Sequence, residues 1–296
     1  MELMPGYKRS DVGVIPDDWD AKPLGEIGDS LIGLTYRPSE VRKYGTLVLR
    51  SSNVQNGTLC FDDNVFVDAD IPDRIMVRPG DILVCVRNGS RDLIGKSALI
   101  DERAVGMTFG AFMGVFRSEY GQFLRHVFQS GIFKKQINEP LGATINQITN
   151  KSLNSFKVPL PPTDEERTEI ARALSDVDAL LATLDQMIAK KRDLKQAAMQ
   201  QLLTGKTRLP GFGGEWETKP FSAVLNRLNA KSHQIQASEY QETGRFPVVD
   251  QGKDFVVGFS DREDKRFRCP DGGVIVFGDH TCIVKFIDFD FLVGAD

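Results

Sequence analysis

The chain has 296 residues, a net charge of −4, 26% charged residues and only four cysteines, with a sequence pI near 5.6. That length suits roughly two domains with cores of their own. The acidic balance excludes a protein that wraps nucleic acid by bulk charge, although local basic faces remain open. No apolar run approaches the ~20 residues needed to span a bilayer, and the first residues lack a signal-peptide stretch, so a cytoplasmic protein without membrane contact is expected.

Residues 1–162 predict a mixed α/β module of short strands. Val48 to Arg50, Ile82 to Val86, Ser97 to Ile100 and Met113 to Phe116 are β-branched or apolar runs separated by Gly, Asn, Asp and Pro turns. Phe123, Leu124, Val127, Phe128 and Ile132 recur at helical spacing, which predicts one helix near residues 120–136. Basic candidates for phosphate contact are Arg87 and Arg91 with Asn88, Ser90 and Lys96, then Lys134 and Lys135 at the end of that helix. The stretch that follows holds Asn146, Gln147, Thr149 and Lys151, whose side chains suit base edges and phosphates as well as an ordinary polar loop.

A long helix is predicted from residue 163 to residue 204. Pro161-Pro162 blocks helix upstream, Thr163 and Glu166 form a capping box, and Gly205 supplies the stop. Acidic residues crowd its start, while Lys190, Lys191, Arg192 and Lys195 lie toward its end, which complements the helix dipole. Ile170, Leu174, Val177, Leu181, Leu184 and Ile188 alternate spacings of four and three, a heptad seam that resumes at Leu202 after a basic interruption. About 40 residues make a rod of roughly 60 Å. One apolar stripe on such a rod calls for a partner helix.

Beyond this helix the chain repeats itself. Trp19-Asp20-Ala21-Lys22-Pro23-Leu24 is answered by Trp216-Glu217-Thr218-Lys219-Pro220-Phe221, Pro79-Gly80-Asp81-Ile82 by Pro270-Asp271-Gly272-Gly273-Val274, and Gly110-Ala111 by Gly294-Ala295. The order is kept, which implies duplicated domains rather than a solenoid. The divisions expected are a first module at 1–162, the spacer helix at 163–207 and the start of a second module at 208–296. Because Ala295 matches Ala111, the second copy is expected to be truncated at its C-terminus.

No GxGxxG, GxxxxGK[ST] or GxSxG motif occurs, so no catalytic residue is assigned. Cys269 and Cys282 with His280 and Asp279 lack the closely spaced ligand pairs of a zinc site, and no metal is assigned. Asp279, His280 and Thr281 fall in a predicted hairpin turn between Val274 to Phe277 and Cys282 to Ile287, the run that contains Lys285. The first module has no counterpart to this Gly-Asp-His turn. One scaffold with two different loops suggests two recognition surfaces.

The chain resembles the specificity subunits of type I restriction-modification systems. The resemblance is carried by residues 6–27 (GYKRSDVGVIPDDWDAKPLGEI), 145–167 (INQITNKSLNSFKVPLPPTDEER) and the helix exit 194–212 (LKQAAMQQLLTGKTRLPGF). It implies an α+β protein with two similar target-recognition domains joined by a long coiled-coil-forming helix, acting as a non-catalytic adaptor on double-stranded DNA at a bipartite site. Partner subunits are then expected to carry the chemistry: two modification (methyltransferase) subunits with S-adenosylmethionine, which methylate adenine, and restriction subunits with ATP and Mg. On this resemblance Arg87, Asn88, Ser90, Arg91, Lys96, Lys134, Lys135, Asn146, Gln147, Thr149 and Lys151 are the DNA-contact candidates of the first domain, and Asp279, His280, Thr281 and Lys285 those of the second. The helix seam is expected to pair with a second copy, giving a homodimer through residues 163–204, or with another protein, or to stay uncovered. A competing reading is a coiled-coil interaction protein that assembles a complex without reading DNA.

Overall fold

A computed structural model describes residues 3–138, 147–228 and 230–295. The chain is mixed α/β and divides into two compact units, Met1–Met199 and Gln200–Asp296.

In the first unit, strands Ser97–Leu99, Ile82–Cys85, Met113–Arg117 and Asp29–Ile32 form an antiparallel sheet in that order. Side chains alternate between the faces of a strand, so the central strand Ile82–Cys85 feeds two cores. Ile82 and Val84 face a cluster with Phe123, Leu124, Phe128, Phe133 and Ile137. Leu83 and Cys85 face a second cluster with Leu47, Leu49, Phe109 and Met113. That second cluster packs on a smaller sheet, in which Thr108–Phe109 runs parallel to Val48 and Leu49, and Thr46–Leu47 pairs antiparallel with Phe66–Val67.

The single helix expected near 120–136 is two helices, Gly121–Gln129 and Gly131–Asn138. Ser130 makes the break. It leaves the helical region (φ −79°, ψ 168°), and its hydroxyl donates to Val127 O at 2.7 Å while accepting from the Ile132 amide at 3.2 Å. One side chain thus closes the first helix and opens the second. Burial drives both: Phe128 and Phe133 stack with ring centroids 4.3 Å apart, and Phe116 lies 5.7 Å from Phe128.

The first module closes on its own entry. Strand Lys157–Leu160 pairs antiparallel with Asp20–Pro23, and Trp19 Nε1 donates to Glu166 Oε1 at 3.2 Å. The spacer helix spans Asp164–Leu203, 40 residues, and Thr163 Oγ1 accepts from the Glu166 amide as an N-cap. Further contacts dock its root on the first module. Arg167, buried, donates to Pro161 O and Asp164 and lies over the Tyr120 ring at 4.5 Å. Ser175 Oγ meets His126 Nε2 at 3.3 Å. Arg125 donates to Asp178 Oδ2 at 2.9 Å. From Leu174 onward the seam is exposed: Leu174, Val177, Leu181, Leu184, Ile188 and Leu202 all face solvent, and only Ile170 packs partly on the module's core.

The second unit repeats the small sheet of the first. Gln234–Ile235 runs parallel to Val293 and Gly294, Val248 and Val249 run parallel to Leu292 and Val293, and Phe246–Val248 pairs antiparallel with Gly258–Ser260. The same order holds around Leu34, which bridges Gly110 in parallel, then Thr108–Phe109, Thr46–Leu49 and Phe66–Val67. The turns echoed in sequence also match, since Gly80 (φ +93°) and Gly273 (φ +74°) each turn the chain into a hairpin. Two parts differ. Residues 214–220 form no strand where Asp20–Pro23 does, and Ile275, Phe277, Val284 and Phe286 are exposed where the first module's hairpin is covered by helices.

Candidate nucleic-acid interface

The loop between Ile82–Cys85 and Ser97–Leu99 is built by its neighbours. Burial pushes the Cys85 thiol pKa up, and this neutral thiol caps the strand by donating to Arg87 O at 3.6 Å. The Ser90 amide donates to Asn88 Oδ1 at 3.0 Å, an Asx turn. Asn88 Nδ2 in turn approaches Ser51 Oγ at 3.4 Å. Gly95 (φ +83°) lets the loop's far end sit on helix Gly131–Asn138, where an added Cβ would lie 2.2 Å from Ile137 Cδ1.

This packing gathers candidates that are distant in sequence. Arg87 bridges antiparallel to Gln147, and the Ile148 amide donates to Val86 O at 2.7 Å. The segment after residue 146 is therefore joined to the loop by main-chain pairing. Gln147 is exposed and Ile148 buried. Arg87 lies over the exposed ring of Phe112, 5.4 Å from its centroid. Ser90 and Arg91 are exposed, Lys96 is half-buried, and Lys134 and Lys135 lie exposed on the helix that packs under Gly95. Thr149 is exposed, and its hydroxyl accepts from the Ser152 amide at 3.1 Å, capping the short helix Asn150–Ser155 that carries exposed Lys151. Asn146 lies outside the described residues.

In the second unit the turn joining Val274–Phe277 to Val284–Ile287 presents Asp279 and His280 to solvent. Thr281 Oγ1 donates to Gln251 O at 2.7 Å. Lys285 requires a correction. Expected to face DNA, it is 4% exposed and its ammonium donates to Asp250 O at 2.8 Å, Asp250 Oδ1 at 3.3 Å and Asp254 O at 2.5 Å. Strand alternation places it beside Val276 on the inner face, where its three donors hold the 250–254 loop. It is a structural lysine. Cys269 donates to Ile287 O at 3.3 Å, with its thiol pKa raised by burial and by Asp290 and Asp288.

Sequence reasoning missed Phe112 and the cleft beside it. Tyr36, Arg50, Ser51, Ser52, Asp63 and Phe112 line about 440 Å³ of space. No motif marks these residues in the sequence, and only tertiary packing reveals Phe112 as 61% exposed.

The type I restriction modification DNA specificity domain matches residues 16–191, more than half of the chain. The type I restriction enzyme EcoKI specificity subunit of Escherichia coli (strain K12) is 27% identical over 233 residues, covering 74% of this chain and 49% of that protein. The MjaVIII specificity subunit of Methanocaldococcus jannaschii is 30% identical over 213 residues, covering 69% of this chain and 49% of that protein. The chain thus spans about half the length of the curated relatives it matches. The crystal structure of the type I restriction-modification S subunit from M. genitalium shares the fold at a TM-score of 0.53 and 14% identity, covering 100% of this chain and 72% of that one. With the loop cluster and helix root inside the matched span, this chain belongs to the type I restriction modification DNA specificity domain family.

Proposed function

We propose that this chain is a non-catalytic adaptor that selects the DNA sequence for a type I restriction-modification complex. Its first module reads one half of a bipartite duplex site through the 86–96 loop, the Gln147 segment and the Lys134–Lys135 helix face. Its second unit presents Asp279, His280 and Thr281 toward the other half. Two modification subunits supply S-adenosylmethionine and methylate adenine, which requires the base to leave the stack. Restriction subunits supply the ATP- and Mg-dependent steps. The spacer helix sets the distance between the half-sites. The observation that carries this reading is the pairing of Arg87 with Gln147 beside the exposed Phe112, which joins Arg, Asn, Gln and aromatic groups on one rigid root. Arg pairs bidentately with guanine, and Asn and Gln with adenine, in the major groove.

The test is duplex DNA binding by the full chain and by the Arg87→Ala/Arg91→Ala variant. Loss of sequence-selective binding in a variant that melts like the wild type supports the reading, and unchanged selectivity contradicts it. The exposed seam of Leu174, Val177, Leu181, Leu184 and Ile188 favours a second reading, an assembly protein whose helix pairs without DNA. That reading expects helix-dependent association and no selective DNA binding.

A further inference from the structure

The cleft beside Phe112 is continuous with the Arg87 loop, because Phe112 lines it and lies under Arg87, and Ser51 lines it and is approached by Asn88. Arg50 is its anchored cation. It follows the buried strand Thr46–Leu49, and its amide donates to Asn53 Oδ1 at 2.9 Å. Asn53 is fully buried and donates to Cys60 O at 3.0 Å and Asp63 O at 3.2 Å, so the root of Arg50 is held rigidly. At the other end, Asp63 Oδ2 accepts from Arg50 Nη2 at 2.7 Å. The Arg50 side chain stays 35% exposed, so its outer guanidinium donors are open to an occupant of the cleft.

Exposed guanidinium donors call for acceptors on the occupant. Two sources of acceptors are present on duplex DNA, the phosphates and the base edges. Asp63 discriminates between them. Its carboxylate neutralises Arg50 locally and disfavours an anion, while it orients the guanidinium fork toward a neutral group with two acceptors. In the major groove that group is the O6/N7 edge of guanine. Resting on the DNA-reading function above, we infer that Arg50, buttressed by Asp63, is a specificity-determining residue that reads a guanine in the half-site of the first module. Phe112 walls the cleft and separates this contact from the one made by Arg87.

The test is selection of bound duplexes from a randomised library by the full chain, alone and together with a type I modification subunit. The wild type is expected to enrich a motif with a guanine whose preference falls about tenfold in Arg50→Lys, which keeps the charge and loses the fork. Asp63→Asn is expected to relax the same position. Replacing that guanine by 7-deazaguanine removes N7 and is expected to weaken binding with the protein unaltered, so the result does not depend on a variant's folding. An unchanged motif in Arg50→Lys, or equal weakening on every sequence as for a phosphate contact, overturns the assignment to Arg50 and leaves the parent reading intact. A wild-type chain that enriches no motif in either setting overturns both.

Discussion

The guanidinium of Arg87 lies 5.4 Å from the ring centroid of Phe112, and the two residues are joined further by the Arg87 amide, which donates to Phe112 O at 3.1 Å. An exposed aromatic ring under an arginine holds that side chain in one direction and leaves its edge donors for a base. Phe112→Ala is therefore expected to reduce sequence preference while leaving non-specific DNA binding nearly intact. If Lys134 contacts a phosphate, Lys134→Ala is expected to do the reverse, weakening all sequences alike and lowering the salt slope by about one. Binding isotherms at several salt concentrations on selected and scrambled duplexes check both.

Two glycines in the same region predict opposite outcomes. A Cβ on Gly121 would sit 2.0 Å from Gly80 O, a backbone atom that cannot move aside cheaply, whereas a Cβ on Gly131 meets nothing within 4 Å. Gly121→Ala is expected to cost about 1–3 kcal/mol, as overpacking does. Gly131→Ala opens a helix in free space and is expected to be neutral or to stabilise by up to about 1 kcal/mol. Urea midpoints of the two variants decide the matter.

Much of this architecture is legible in the sequence where local chemistry dictates it. Thr163 and Gly205 bound the spacer helix because caps act on their own neighbours, and the Gly80 and Gly273 turns announce two related hairpins. What stayed hidden depends on contacts between distant residues. Ser130 splits an apolar stripe into two helices; the Ser130-Gly131 pair is a break signal, but the helical spacing running from Phe123 to Ile132 outweighs it in a reading of the sequence alone. Lys285 and Phe112 invert the usual expectations, a buried cation and an exposed ring, because the faces of their strands and loops are set by residues far away in the chain. Arg50 was unmarked for the same reason. Its partner Asp63 lies across the turn that carries Val54–Gln55 and Thr58–Leu59.

His126 is expected to make the docking of the spacer helix sensitive to pH. Burial holds its pKa below the ordinary 6.5, with Arg125 adding to the effect and Asp178 opposing it. The folded state therefore binds its proton more weakly than the unfolded state. Stability carries no penalty from this group above pH 6.5 and falls as the pH drops below it, through the folded pKa. Between pH 7.5 and 5.5 the wild type is expected to lose more Tm than His126→Gln. Equal losses in thermal melts at both pH values would show that His126 does not carry the effect.

The exposed seam predicts self-association or pairing with another helix. If the chain forms a homodimer through residues 163–204, Leu181→Asp and Leu184→Asp place charges in a dry interface and are expected to abolish it, with the globular units intact. Light scattering at micromolar concentration measures this. A wild-type chain that is already a stable monomer contradicts the homodimer and leaves the seam for a different protein.

On the proposed function, this chain chooses the DNA sequence while partner subunits perform the chemistry. Co-expression with a type I modification subunit and genome-wide mapping of methyladenine tests it most directly. Methylation is expected at an interrupted motif, with one half of that motif relaxed or lost when Arg87 is replaced by alanine. Methylation at the same sites and to the same extent with the wild type, with Arg87→Ala and without the chain would contradict it.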